Sequence, residues 1–244
     1  MGYPSIAIID YLMNIINSNY EPWRENHQDA DVSEFDFKIS NMSKSGALFD
    51  LVKIDNVSKN VISRMEAETL YENTLAWAKE YNINNYNLLN SNRDYAIKVV
   101  GMDRNPQRPR KDITTYSEVV KFYSFMFDET YSNDYSEFDY EKFTKEVLIK
   151  ALKAYKDAYN ENDTKDEWFA RMKEVAGSIG FASDMKEYKK NPEAYLGNIA
   201  DFSTIVRVTV SGRRQTPDLY EILINLGNDR VMARIDSAIE FLEK

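Results

Sequence analysis

Residues 205–244 read IVRVTVSGRRQTPDLYEILINLGNDRVMARIDSAIEFLEK, and the fold turns on how this stretch is read. Its first part holds Ile205, Val206, Val208 and Val210, β-branched and partly alternating, which reads locally as a strand. No partner strand is in view, and an isolated strand is unstable. A basic turn follows, Gly212-Arg213-Arg214, then a helix-start signal, Thr216-Pro217-Asp218. The spacing predicts helices over 217–226 and 229–243, separated by Gly227.

Working outward, the rest of the chain is also punctuated for helices. Eight Gly and six Pro in 244 residues disfavour an all-β sandwich, and 43% hydrophobic content is enough for a core. Pro4 opens a helix in which Ile6, Ile9, Met13 and Ile16 share a face. Residues 18–46 are polar and turn-like, and two short amphipathic pieces, 47–53 and 57–64, come next. A helix starting at Ser63 or Met65 runs through Tyr81. Asn82 to Asn92 holds six Asn in eleven residues and reads as a loop, ahead of a helix near 92–103. Thr114 or Thr115 caps an aromatic helix from Tyr116 to Phe127 that reads as core. Ser132–Ser136 is the best domain boundary. Helices near 139–160 and 164–178 follow, the second with a capping box from Thr164 to Glu167.

Charge is uneven. The net value is −9, which taken alone argues against a nucleic-acid binder. Arg104, Arg108, Arg110 and Lys111 nevertheless fall within eight residues, and Arg207, Arg213 and Arg214 within another eight. A local basic patch on an acidic body holds a phosphate backbone while the remainder repels non-specific RNA. On charge alone, these residues read equally well as solvated loop charges. The chain has no Cys, which excludes disulfides and thiolate chemistry and fits a reducing cytosol. No apolar run approaches the roughly 20 residues of a membrane span, and the N-terminus lacks the basic n-region of a signal peptide. A cytoplasmic location is expected.

The C-terminal stretch resembles the end of bacterial glutamyl-tRNA synthetases. There an Arg-bearing apolar segment, a Gly, a Ser/Thr-Pro-x-Leu helix start and an LG-x-x-R-V-x-x-R-hydrophobic pattern close the anticodon-binding domain. The resemblance runs on through Met1-Gly2-Tyr3-Pro4, Asn19-Tyr20-Glu21-Pro22-Trp23-Arg24, residues 45–53 and 55–60, and Arg108-Pro109-Arg110 with Thr114 to Val119. Several of these are similar to a clostridial-type subgroup. The resemblance implies a helix at 205–210 and an all-α fold of two helical subdomains. These are a stem-contact domain at 1–131 and an anticodon-binding helical cage at 132–244. It implies a parent enzyme that joins glutamate to its tRNA with ATP and Mg2+, of which this chain is a piece. The catalytic nucleotide fold, with its HIGH-like motif and KMSKS-like loop, is not found in it. The expected partners are glutamate-specific tRNA and that catalytic domain, with no DNA and no membrane. No catalytic residue, cofactor or metal is expected here.

Site residues follow from the same resemblance. Arg108 and Arg110 are implied for the third anticodon base. Arg207, with Thr216, Pro217 and Leu219, is implied for the first and second. An unstacked base exposes its Watson–Crick edge to Arg and its faces to apolar side chains. Lys111, Arg213 and Arg214 are expected at phosphates, and the helix from Pro217 offers free N–H groups to another. Asn41-Met42-Ser43-Lys44-Ser45 looks like a KMSKS loop, but Asn41 replaces the leading Lys and no Gly-rich strand-to-helix turn precedes it. It is read as a polar turn. The sole histidine, His27, is read as solvated, and Asp163, Asp166 and Glu167 as cap charges. Two other readings are a free-standing helical interaction module without RNA and a small complete enzyme using Lys44.

Overall fold

A computed structural model describes residues 1–42, 48–105 and 107–244. The Lys44 motif, apart from Asn41 and Met42, lies outside the described residues, as does Pro106. Regular structure among the described residues is helical throughout, with two isolated bridges, Asn17–Met42 and Ala182–Asn198. The fold is all-α. The chain divides into two compact units, Met1–Phe122 and Tyr123–Lys244. The division falls ahead of the polar Ser132–Ser136 run because the aromatic segment is itself split. Tyr116–Phe122 is helical in the first unit, while Tyr123, Phe125, Met126 and Phe127 are buried in the second.

The first unit holds α1 (Ser5–Ile16), α2 (Tyr20–Asn26), α3 (Leu51–Arg64), α4 (Ala67–Tyr81), α5 (Ile83–Ser91), α6 (Arg93–Val100) and α7 (Tyr116–Phe122). α1 packs on α3, and α4 is the hub for α5, α6 and α7. Gly2 is required where it stands. Its φ is +88°, and a Cβ there would lie 2.7 Å from Trp77 Nε1. The Gly2 carbonyl accepts the Tyr116 N–H at 2.9 Å, so the N-terminal turn locks onto α7. Behind α1, Tyr20 and Arg24 both bond the buried Asp10, with Arg24 Nη2 at 2.9 Å. Burial and the Asp10 bond push the Tyr20 hydroxyl up to about 12.

Three expectations fail in this unit. Part of the polar, turn-like stretch 18–46 is the helix α2. α3 is one helix rather than two pieces, started by the Asp50 carboxylate, which accepts from Val52 N (2.8 Å) and Lys53 N (3.2 Å). The Asn-rich stretch is α5, not a loop. Its terminal asparagines are caps: Asn82 Oδ1 accepts from Asn85 N, and Asn92 Oδ1 from Tyr95 N, each at 3.1 Å. Between them Leu89 is buried, and the hydroxyl of the α4 residue Tyr71 donates to its carbonyl. Packing on α4 overrides the weak helix propensity of Asn.

The second unit holds α8 (Lys145–Ala158), α9 (Lys165–Ser178), α10 (Met185–Lys190), α11 (Ile199–Ser211), α12 (Leu219–Leu226) and α13 (Asn228–Glu243). α11 is the central helix, packed by α8, α9 and α13. Phe202, Ile205, Val206, Val208 and Val210 are all buried on it, so its apolar run faces neighbours on several sides, and it is a helix as expected. An Asn198–Asp201 capping box starts it, and the Thr164–Glu167 box starts α9. Arg234 on α13 is 5% exposed. Its Nη1 donates to the carbonyls of Phe125 (2.8 Å) and Val210, and its guanidinium lies 3.6 Å from the Tyr131 ring centroid. This arginine fastens α13 to the end of α11, where the last helical carbonyls lack backbone partners.

Candidate nucleic-acid interface

The basic segment of the first unit uses half its cations on itself. Arg104 Nε donates to Met65 O at 2.8 Å, and its Nη2 bonds Ile62 O, closing the C-terminal end of α3. Arg110 is clamped between two carboxylates, Asp112 at 2.7 Å and Asp103 at 3.1 Å. Asp103 holds a φ of +56° to stand there, a conformation that non-Gly residues adopt at a cost. Asn105 shapes the turn: its carbonyl accepts from Arg108 N at 3.1 Å, and its side chain from Gln107 N at 2.9 Å. The Arg108 and Lys111 side chains are left exposed, with no bond or ion pair among the described residues. Lys111 and Pro109 also line a cleft of about 600 Å3 with Arg24, Arg64 and Asn60.

In the second unit, α11 ends at Gly212 in the left-handed region, φ +67°. A Cβ there would crowd Ser132 O and Asp134 N, both at 3.3 Å. The two arginines after it diverge. Arg213 turns inward: its Nη2 donates to Ser124 Oγ at 2.9 Å and its guanidinium lies 5.4 Å from the Phe125 ring centroid. Burial pulls its pKa down. Arg214 stays exposed, its Nε donating to Glu137 O at 2.7 Å.

Arg207 sits one turn after Ser203 on α11. Both line a cleft of about 320 Å3 with Trp168 and Phe169 of α9 and with Asp218 and Leu219. Arg214 lines a second cleft of about 290 Å3, with Thr204 and Val208 from another side of α11. Arg207 and Leu219 are thus brought to one cleft. Thr216 and Pro217 are buried, and the Thr216 hydroxyl is engaged with Pro217 O at 2.9 Å.

The helix-start signal needs correction. α12 begins at Leu219, and its cap is Asp218, which accepts from Glu221 N at 3.1 Å. The same carboxylate holds Lys165 at 2.9 Å. The N–H groups expected to receive a phosphate therefore already face a carboxylate. Arg234 closes the LG-x-x-R-V-x-x-R pattern, but its buried fastening role was not read from the sequence, and Phe169 was not singled out. The signal for Phe169 was available: an aromatic residue next to Trp168, on a helix rich in charge.

Other candidates keep bland roles. His27 stacks on Trp23, ring centroids 5.1 Å apart, with Nδ1 2.9 Å from Trp23 O. Asp163 pairs with Arg171 at 2.6 Å. No group of three His, Asp or Glu among the described residues is placed to hold a metal. Among the described residues, no helix is long and apolar enough to cross a membrane.

A family model described as an anticodon binding domain matches residues 107–239. The chain belongs to this family. The match begins beside Arg108 and runs past Leu219, so it takes in Arg108–Lys111 and Arg207–Arg214. The anticodon-binding family member is also 41% identical to the glutamate--tRNA ligase of Acetivibrio thermocellus over 237 residues, 96% of this chain and 43% of that protein. It is 42% identical to that of Clostridium perfringens, with the same coverage. These relatives agree with the clostridial-type motifs. The chain thus spans less than half the length of the relatives it matches. A crystal structure of a glutamate tRNA ligase from Elizabethkingia meningosepticum has the same fold. Its TM-score is 0.68 at 16% identity, over 99% of this chain and 42% of that one.

Proposed function

We propose that this chain is the tRNA-reading part of a glutamate--tRNA ligase and binds the anticodon loop of glutamate-specific tRNA. One observation carries the reading. The family match covers Arg108–Lys111 and Arg207–Leu219 together, and these are the segments in which cations are left at the surface or in a base-sized cleft. Arg108 is the reader of the third anticodon base. It has an exposed planar fork of donors, whereas Arg110 beside it is already neutralised by Asp103 and Asp112. Arg110 has the role of holding the segment that presents Arg108. Arg207 and Leu219 take the first or second base. Lys111 and Arg214 touch phosphates, and Arg213, Thr216 and Pro217 act by shaping the turn between α11 and α12.

Ligation itself, with ATP and Mg2+, belongs in this reading to the remaining length seen in the relatives. An exposed apolar strip supports a docking face for that remainder. Ile8, Ile9 and Leu12 of α1 are 40%, 44% and 45% exposed. The chain alone is expected to support no glutamate-dependent ATP–pyrophosphate exchange.

Titrating labelled tRNA with the chain at several salt concentrations tests the reading. Binding that weakens steeply with salt is the expected result. Absence of salt-sensitive binding would leave a protein-interaction module as the better account.

A further inference from the structure

The cleft beneath Arg207 has a wall that the family motifs do not touch. Phe169, on the first turns of α9, is 41% exposed and lines it. Its ring lies 6.3 Å from that of Trp168, whose Nε1 is tied to Tyr155 at 3.1 Å and whose own ring meets Tyr220 at 5.7 Å. The neighbouring aromatic residues are therefore fixed in the core, while Phe169 is left at the cleft mouth. Lys173, one turn on, places its Nζ over the ring, 4.5 Å from the Phe169 centroid, so one face of the ring meets a cation. An isolated surface Phe needs no explanation. One that shares a cleft with Arg207 and Asp218 faces polar groups suited to a particular guest.

We infer that Phe169 is a stacking platform for one unstacked nucleobase, with Arg207 and Asp218 set toward the edge of that base. The proposal rests on the tRNA-binding reading above and adds a residue to it. The volume, about 320 Å3, is at the small end of ligand pockets and suits a single base rather than a duplex. Arginine only donates and an ionised aspartate only accepts, so the pair matches an edge bearing both kinds of group. Asp218 already serves Glu221 N and Lys165, but each carboxylate oxygen has a second lone pair. Stacking on Phe169 holds any base by its face, and Arg207 with Asp218 selects among bases.

The test is binding of an anticodon stem-loop RNA carrying 2-aminopurine at each anticodon position in turn, to the chain and to Phe169→Ala, Phe169→Leu and Phe169→Trp. Leucine keeps apolar bulk and removes the π face, which guards against a packing effect. Alanine and leucine should weaken binding roughly 5- to 150-fold and abolish the fluorescence quenching at one loop position, while tryptophan retains both. If the chain binds the loop and alanine and leucine bind equally well, the platform is refuted and the tRNA reading stands. If the chain itself binds no loop RNA, the reading falls and the platform with it.

Discussion

Arg104–Lys111 in the first unit, with four cations, and Arg207–Arg214 in the second, with three, are both basic strings of eight residues, yet each divides its cations differently. In the first segment the division alternates. Arg104 and Arg110 bind carbonyls and carboxylates of their own unit, and Arg108 and Lys111 are left outward. In the second, helix geometry does the sorting. Arg207 lines a cleft from the side of α11, Arg213 is turned in by Gly212, and Arg214 is turned out. The comparison teaches that a count of basic residues overstates an RNA-binding surface. A cation that is buried or clamped between carboxylates shapes the segment, and one whose side chain reaches the surface or a cleft is offered to RNA.

The largest expected effect tests the structural half of that division. Arg234→Met removes the donor to two buried carbonyls. It should lower stability by about 2–6 kcal/mol, read as a shift in urea midpoint. A variant as stable as the parent chain would mean that Arg234 is not the fastening between α11 and α13.

Next is the pair in the first segment. Arg108→Gln should lose about 1–3 kcal/mol of preference between tRNAs differing only at the third anticodon base, by analogy with bidentate base contacts. Arg110→Gln should leave that preference in place and cost under about 1 kcal/mol of stability, since its ion pairs are partly exposed. Reversal of the two outcomes would exchange their roles.

The smallest effects sharpen the phosphate assignment. Lys111→Gln and Arg214→Gln should each flatten the slope of log affinity against log salt by about 0.7, the single-strand value per contact. Arg213→Gln should leave the slope unchanged and lower the melting temperature instead. A flattened slope for Arg213→Gln would return it to the RNA surface.

Much of this was legible in the sequence for reasons that can be named. α9, α12 and α13 were found because caps and glycine stops mark short stretches with local chemistry, whereas α11 was expected only from the family resemblance. The α11 run shows the limit of local reading. Its β-branched residues alternate like a strand, and only burial on several sides makes sense of them as a helix. α5 was missed because asparagine count was read as a loop, although two of those asparagines are caps. The start of α12 was misplaced by two residues since Thr216-Pro217-Asp218 offers two possible caps, and Asp218 takes the role. For the candidate site, Arg108 and Arg207 were legible but not the surroundings of the two segments. Those depend on Asp103 and Asp112 folding back onto Arg110, and on Asp218 meeting Lys165 from a helix more than fifty positions away. Phe169 could be noticed beside Trp168, but only packing distinguishes an exposed aromatic beside a cleft from its buried neighbour.

The most direct measurement is the affinity of the chain for a glutamate-type anticodon stem-loop, set against a stem-loop of the same length with all three anticodon bases replaced. Both offer the same phosphates, so non-specific attraction cancels. Reading of bases by Arg108, Arg207 and the Phe169 cleft predicts at least about tenfold tighter binding of the glutamate-type loop, given roughly 1–3 kcal/mol per recognised base. Equal affinities would contradict the account, leaving a surface that holds tRNA by charge and reads nothing.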